Sequence, residues 1–124
     1  MRGVAQRYVS LVQRGRFDLV AALLAPDMAR VAPIETGGEP VEVRGVPAIM
    51  ANSRRLTADL DIHGVEIDGP FLAGDRFAVR FSFDETHRPT GVRTTSRKMS
   101  LYTVTDGLIS REEVHYFDQP KPAA

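Results

Sequence analysis

The chain has 124 residues, 43% hydrophobic and 26% charged, a length and apolar share that suit one domain with its own core and exclude a disordered chain. Sixteen Lys and Arg balance sixteen Asp and Glu, which argues against a nucleic-acid surface, because such a surface needs excess cations to displace counterions. There is no cysteine, hence no disulfide framework, thiol nucleophile or thiolate zinc site; without an apolar leader or a bilayer-length stretch, the sequence predicts a cytoplasmic protein that binds no membrane.

Val4, Tyr8, Leu11 and Val12 recur at helical spacing, and Gly15 follows as a stop. Phe17, Val20, Leu23 and Leu24 predict a second, short helix closed by Pro26. Met28 to Ile34 reads as a strand, broken by Thr36, Gly37 and Gly38, and Val41 and Val43 alternate in a short partner. Gly45 and Pro47 open a third helix, with Ile49, Ser53, Leu56 and Leu60 on one face. The second half reads as strands. His63, Val65 and Ile67 alternate with polar residues. After the turn at Ala73-Gly74-Asp75, Phe77, Val79, Phe81 and Phe83 alternate in a clear period of two. A loop around Pro89 and Gly91 leads to a strand from about Arg93 to Thr105, Asp106-Gly107 is a hairpin signal, and a last strand ends near Phe117. Helices first and a strand meander after them predict an α+β fold with one domain over 1–118 and a loose tail over 119–124.

The ordered set Gln6-Arg7-Tyr8-Val9, Leu11-Val12, Gly15, Ala25-Pro26-Asp27, Pro33, Glu39-Pro40, Gly45 and Ala48-Ile49 resembles ketosteroid isomerase. That enzyme belongs to the nuclear transport factor 2-like superfamily, with the SnoaL-like polyketide cyclases and limonene epoxide hydrolase. The similarity is close over the first half. In the second it rests on strand pattern and Asp106-Gly107, while His63 to Phe83, with Gly69-Pro70 and Gly74-Asp75, looks like SnoaL-like proteins. The resemblance implies a cone-shaped, curled, mainly antiparallel sheet with three N-terminal helices around one apolar pocket, as in the cystatin-like roll. It also implies a homodimer, for which Met99, Leu101, Ile109 and Phe117 would form the covered apolar patch.

Ketosteroid isomerase moves a proton with a carboxylate base and stabilises the dienolate with a tyrosine and a protonated aspartic acid. The tyrosine position matches Tyr8, the base position falls on Ala32, and the second acid position falls on Ser100. Alanine cannot take a proton, so the isomerase mechanism does not carry over unchanged. The resemblance to limonene epoxide hydrolase puts Phe81 and Phe83 where two of its polar catalytic groups would stand, so that chemistry is absent too.

The parity of the last hairpin decides which other side chains face the pocket, since a one-residue slip turns them all over. With a bulged glycine at Gly107, Lys98, Ser100, Tyr102 and Val104 face inward with Ser110, Glu112, Val114 and Tyr116. In the other register Arg111, Glu113 and His115 do. The first register puts Lys98 and Glu112 within reach of each other as a buried pair. The candidate catalytic residues are therefore Tyr8 and Ser100 to polarise a carbonyl, and Glu112 or His115 to move the proton. Ala32, Met50, Phe81, Phe83, Lys98, Tyr102, Val114 and Tyr116 line the pocket. His63, His87 and His115 lack ligand spacing, so no metal is expected, and no motif calls for a cofactor. Three functions stay open: an isomerase or cyclase acting by proton transfer on an apolar enolisable substrate, a non-catalytic small-ligand binder, and a dimeric protein-interaction adaptor.

Overall fold

A computed structural model describes residues 2–32 and 41–117. The apolar stripe of α1 (Arg2–Gln13) buries Ala5, Val9, Leu11 and Val12. The helix ends on paired hydrogen bonds from Gly15 N to Val12 O and Arg16 N to Leu11 O, a closure that needs the left-handed backbone of Gly15 (φ 70°). A single turn, α2 (Phe17–Val20), and a 3₁₀ turn (Ala21–Leu23) lead directly into β1 (Leu24–Ala32). The second helix is thus shorter than its apolar spacing predicts, because Leu24 already belongs to a strand. Pro26 lies inside β1, in the irregular stretch between the ladder partners of Leu24 and Ala29, where its missing N–H costs no ladder bond.

β2 (Val41–Arg44) pairs antiparallel with β1. Next, α3 (Val46–Thr57) carries Pro at its first turn and buries Ile49 and Asn52. The predicted face is corrected in two places. Ser53 is exposed and Asn52 takes the inward position, and Leu60 opens β3 (Leu60–Ala73) instead of closing the helix. β4 (Arg76–His87), β5 (Val92–Thr105) and β6 (Leu108–Tyr116) complete one curled sheet in the order β2-β1-β6-β5-β4-β3. Among the described strands only β1 and β6 run parallel. Phe77, Val79 and Phe81 are at most 3% exposed and meet the helices in the core, where each fully buried side chain of this size contributes about 1.5–3 kcal/mol. No described helix is long and apolar enough to cross a membrane.

The last hairpin obtains its parity by a device the sequence does not announce. Asp106 (φ 52°) and Gly107 (φ 80°) form a two-residue turn with positive φ at both positions, pairing Thr105 with Leu108. Continued regularly, that ladder would turn Arg111, Glu113 and His115 inward. A bulge at Ser110 intervenes, since Val104 opposes Ile109 but Thr103 opposes Arg111. The extra residue, and not Gly107, restores Tyr102 opposite Glu112 and Lys98 opposite Tyr116. Ser110 itself leaves the inner row and bonds Thr103 O and Thr105 Oγ1. Ile109, expected in the exposed patch, is fully buried instead. Pro33, Ile34, Glu35, Gly37, Gly38, Glu39-Pro40 and the predicted tail over 119–124 lie outside the described residues.

Candidate functional site

The inner faces of α1, β1, β5 and β6 bring six polar side chains together. Tyr8, on the inward side of α1, meets Tyr102 of β5, oxygen to oxygen at 2.6 Å. Tyr102 Oη donates to Glu112 Oε2 at 3.1 Å, and Ser100 Oγ donates to the same oxygen at 2.8 Å. Glu112 Oε1 lies 3.8 Å from Arg30 Nε, and Arg30 Nη2 donates to Tyr116 Oη at 3.2 Å. With Glu112 a carboxylate, Tyr102 has its one proton on Glu112, so Tyr8 donates to Tyr102. Burial, and then the Glu112 charge, push the Tyr8 and Tyr102 phenols well above their ordinary range, so both stay protonated. Around them Tyr102 stacks on Phe77 with ring centres 4.7 Å apart, and Tyr8 meets Tyr102 edge-on at the same distance.

Arg30 is 6% exposed and was not singled out by its sequence context. The signal was available in parity: Met28, Arg30 and Ala32 share the inner face of β1, so an inward base position at Ala32 implies an inward Arg30. Arg30 takes the partner role that the sequence gave Lys98. The Lys98 ammonium lies over the Phe81 and Phe83 rings, 5.2 and 5.8 Å from their centres. Ala32 and Val114 are fully buried, Phe81 nearly so, and Met50 and Phe83 pack against the core from its edge. His115 lies on the opposite face of the sheet, exposed and 3.4 Å from Glu113, which removes it from the pocket.

A cleft of about 530 Å³ opens on the concave side, between the C-terminal end of α3 and the far ends of β4 and β5. Its wall includes Leu56, Leu60, Glu85, His87, Ser96 and Tyr116, with Arg55 and Asp59 as its other charged groups. This volume suits a small organic ligand. Of the predicted pocket residues only Tyr116 lines it, and through Arg30 Tyr116 joins the cleft to the buried network. Glu85 was missed because the reading of β4 stopped at the last aromatic, although Glu85 is the next inward residue. Burial raises its carboxyl above the ordinary glutamate range. Asn52, also missed, is 4% exposed; its Oδ1 accepts from Arg55 Nη2 at 2.5 Å, and its Nδ2 has no partner among the described residues.

An α+β cone with polar groups buried inside a curled sheet is the ketosteroid isomerase-like fold. The model of the SnoaL-like domain matches residues 5–112, and the chain belongs to that family. No curated protein matches the chain. Among solved structures, a proposed SnoaL-like polyketide cyclase from Mesorhizobium loti is 32% identical with a TM-score of 0.82, over 93% of this chain and 97% of that one. A cystatin-like protein from Xanthomonas campestris is 19% identical with a TM-score of 0.75, over 94% and 90%. A proposed SnoaL-like polyketide cyclase from Jannaschia sp. CCS1 is 16% identical with a TM-score of 0.71, over 92% and 88%. The last two likenesses concern the fold.

Proposed function

We propose that this SnoaL-like protein is an isomerase- or cyclase-type enzyme that moves a proton on a small, largely apolar, enolisable carbonyl compound bound in the cleft. The observation that carries this reading is the buried chain Tyr8–Tyr102–Glu112–Arg30–Tyr116, which ends on the cleft wall. Glu112 anchors the Arg30 guanidinium, and Arg30 holds the Tyr116 hydroxyl in place. A phenol positioned by a cation is suited to a carbonyl oxygen that gains negative charge as its neighbouring carbon loses a proton. Tyr8, Tyr102 and Ser100 act one step back, by fixing Glu112. The likeness to the proposed polyketide cyclase from Mesorhizobium loti supports the same substrate class.

The test is deuterium incorporation, followed by NMR, next to the carbonyl of cyclohexanone and of a β,γ-unsaturated decalone. Exchange above the buffer rate, reduced in Tyr116→Phe, is the expected result. Ligand-induced shifts at Leu56 and Ser96 without any exchange would instead establish a binding protein. Two observations favour that second reading: the resemblance to ketosteroid isomerase puts Ala32 at the base position, and Glu112 already accepts two hydroxyl hydrogen bonds.

We also propose a homodimer through the outer face of the sheet, where Met99 and Phe117 are 37% and 49% exposed beside Leu101. Light scattering at micromolar protein gives twice the chain mass if this holds, and Met99→Asp lowers it to one chain; a wild-type monomer refutes it.

A further inference from the structure

We propose that Glu85 is the proton-transferring carboxylate of the cleft, taking the proton from the carbon beside the substrate carbonyl and returning it there or to a conjugated carbon. This deepens the proton-transfer reading above and rests on it. The inner row of β4 runs Phe77, Val79, Phe81, Phe83 and then Glu85 and His87, so an apolar stripe gives way to a carboxylate where the cleft opens. Four carboxylates are partly buried among the described residues. Asp84 is paired with Arg93 at 2.7 Å, Glu112 with Arg30 and Glu113 with His115. Glu85 alone among them has neither cation nor hydrogen-bond donor among the described residues. Leu56 and Leu60 share its wall, and Ser96 stands one diagonal step away across the β4–β5 ladder.

A carboxylate partly buried beside Leu56 and Leu60, with no partner among the described residues, is costly to keep charged and therefore basic, and burial is the cause that raises the Glu85 carboxyl. The step balances without a co-reactant. A Glu85 carboxylate oxygen bonds to the departing proton, and the C–H electron pair becomes the carbon–carbon double bond of the enolate. Negative charge moves to the carbonyl oxygen on the Tyr116 side. Reprotonation by the same acid restores the carboxylate. The other titratable or charged groups of the cleft are Arg55, Asp59, His87 and Tyr116. His87 Nδ1 is already bonded to Thr90 Oγ1 at 3.0 Å, which makes His87 the rival for the same proton.

The experiment follows exchange and isomerisation of the same cyclohexanone and decalone with wild type, Glu85→Gln, Glu85→Gly and His87→Gln, each checked for folding by circular dichroism. Glu85→Gln is expected to lower the rate about a hundred- to ten-thousand-fold, and formate is expected to restore part of it in Glu85→Gly. The wild-type rate should rise with pH along the Glu85 titration measured by carboxyl NMR, and His87→Gln should keep that profile. Wild-type exchange that survives in Glu85→Gln, or a profile that disappears in His87→Gln, overturns the assignment while leaving proton transfer intact. Absence of exchange in wild type overturns the underlying function itself.

Discussion

At the packed end of the cone Glu112 accepts hydrogen bonds from Ser100 and Tyr102 and faces Arg30, while at the open end Glu85 has no partner among the described residues. Both carboxylates project from the inner face of one sheet. Glu85 stands eight residues beyond Phe77 along β4, roughly 26 Å at about 3.3 Å per residue, and Phe77 opposes Tyr102, the neighbour of Glu112. Residue type therefore says little about role. A carboxylate saturated by donors is held as an anion and acts as an anchor, whereas one desolvated without donors is suited to exchange a proton.

Removing the anchor should produce the largest effect. Glu112→Ala removes a buried carboxylate that faces Arg30 and accepts from Ser100 and Tyr102, and is expected to destabilise the protein by about 3–5 kcal/mol in chemical denaturation. Recovery in an Arg30→Met/Glu112→Leu double variant would show that the pair organises the site more than it stabilises the fold. Equal behaviour of Glu112→Ala and Glu85→Ala would erase the distinction between the two ends.

Ala32→Asp places a carboxylate at the lost base position. Because Ala32 is fully buried, a loss of about 2 kcal/mol is expected. The wild type should turn over a Δ5-3-ketosteroid negligibly, and the variant measurably. A wild type that works as an efficient steroid isomerase would mean that a base outside position 32, such as Glu85, already serves steroids and that position 32 is not needed.

Tyr8→Phe should cost about 1 kcal/mol, the worth of the bond to Tyr102, and leave ligand affinity unchanged. The sequence led us to expect the Tyr8 hydroxyl on the ligand; the structure places it on Tyr102. A tenfold affinity loss with an unchanged melting temperature would reverse that assignment. The same phenols set an alkaline limit. Their folded values are raised, so the unfolded chain releases these protons first, and stability falls as pH climbs through and beyond the ordinary tyrosine range near ~10. The fall should be shallower in Tyr8→Phe.

The smallest effect concerns Glu85. Its folded value is raised by burial, so stability falls as pH rises from the ordinary glutamate range through the raised value. Glu85→Gln should remove that dependence and leave the protein at least as stable at neutral pH. A variant that is instead less stable at every pH would point to a donor that Glu85 needs.

The alternation of Phe77, Val79, Phe81 and Phe83, the Gly15 stop and the Pro47 start determined the elements locally, because period and capping are properties of neighbouring residues. Of the inward set Tyr8, Ser100, Tyr102 and Glu112, the last was legible only as one of two parities. Choosing between them required the Ser110 bulge, which arises where β6 must satisfy β5 on one side and β1 on the other. Pairing was less legible still. Glu112 takes Arg30 instead of Lys98 because β1 lies beside β6 in parallel, a contact between segments some eighty residues apart in the chain. The sequence by itself determined which residues form strands and which strand faces are apolar. The tertiary structure alone decided which of two inward carboxylates is held by donors and which faces the cleft with no partner among the described residues, since that depends on desolvation and on neighbours brought together across the sheet.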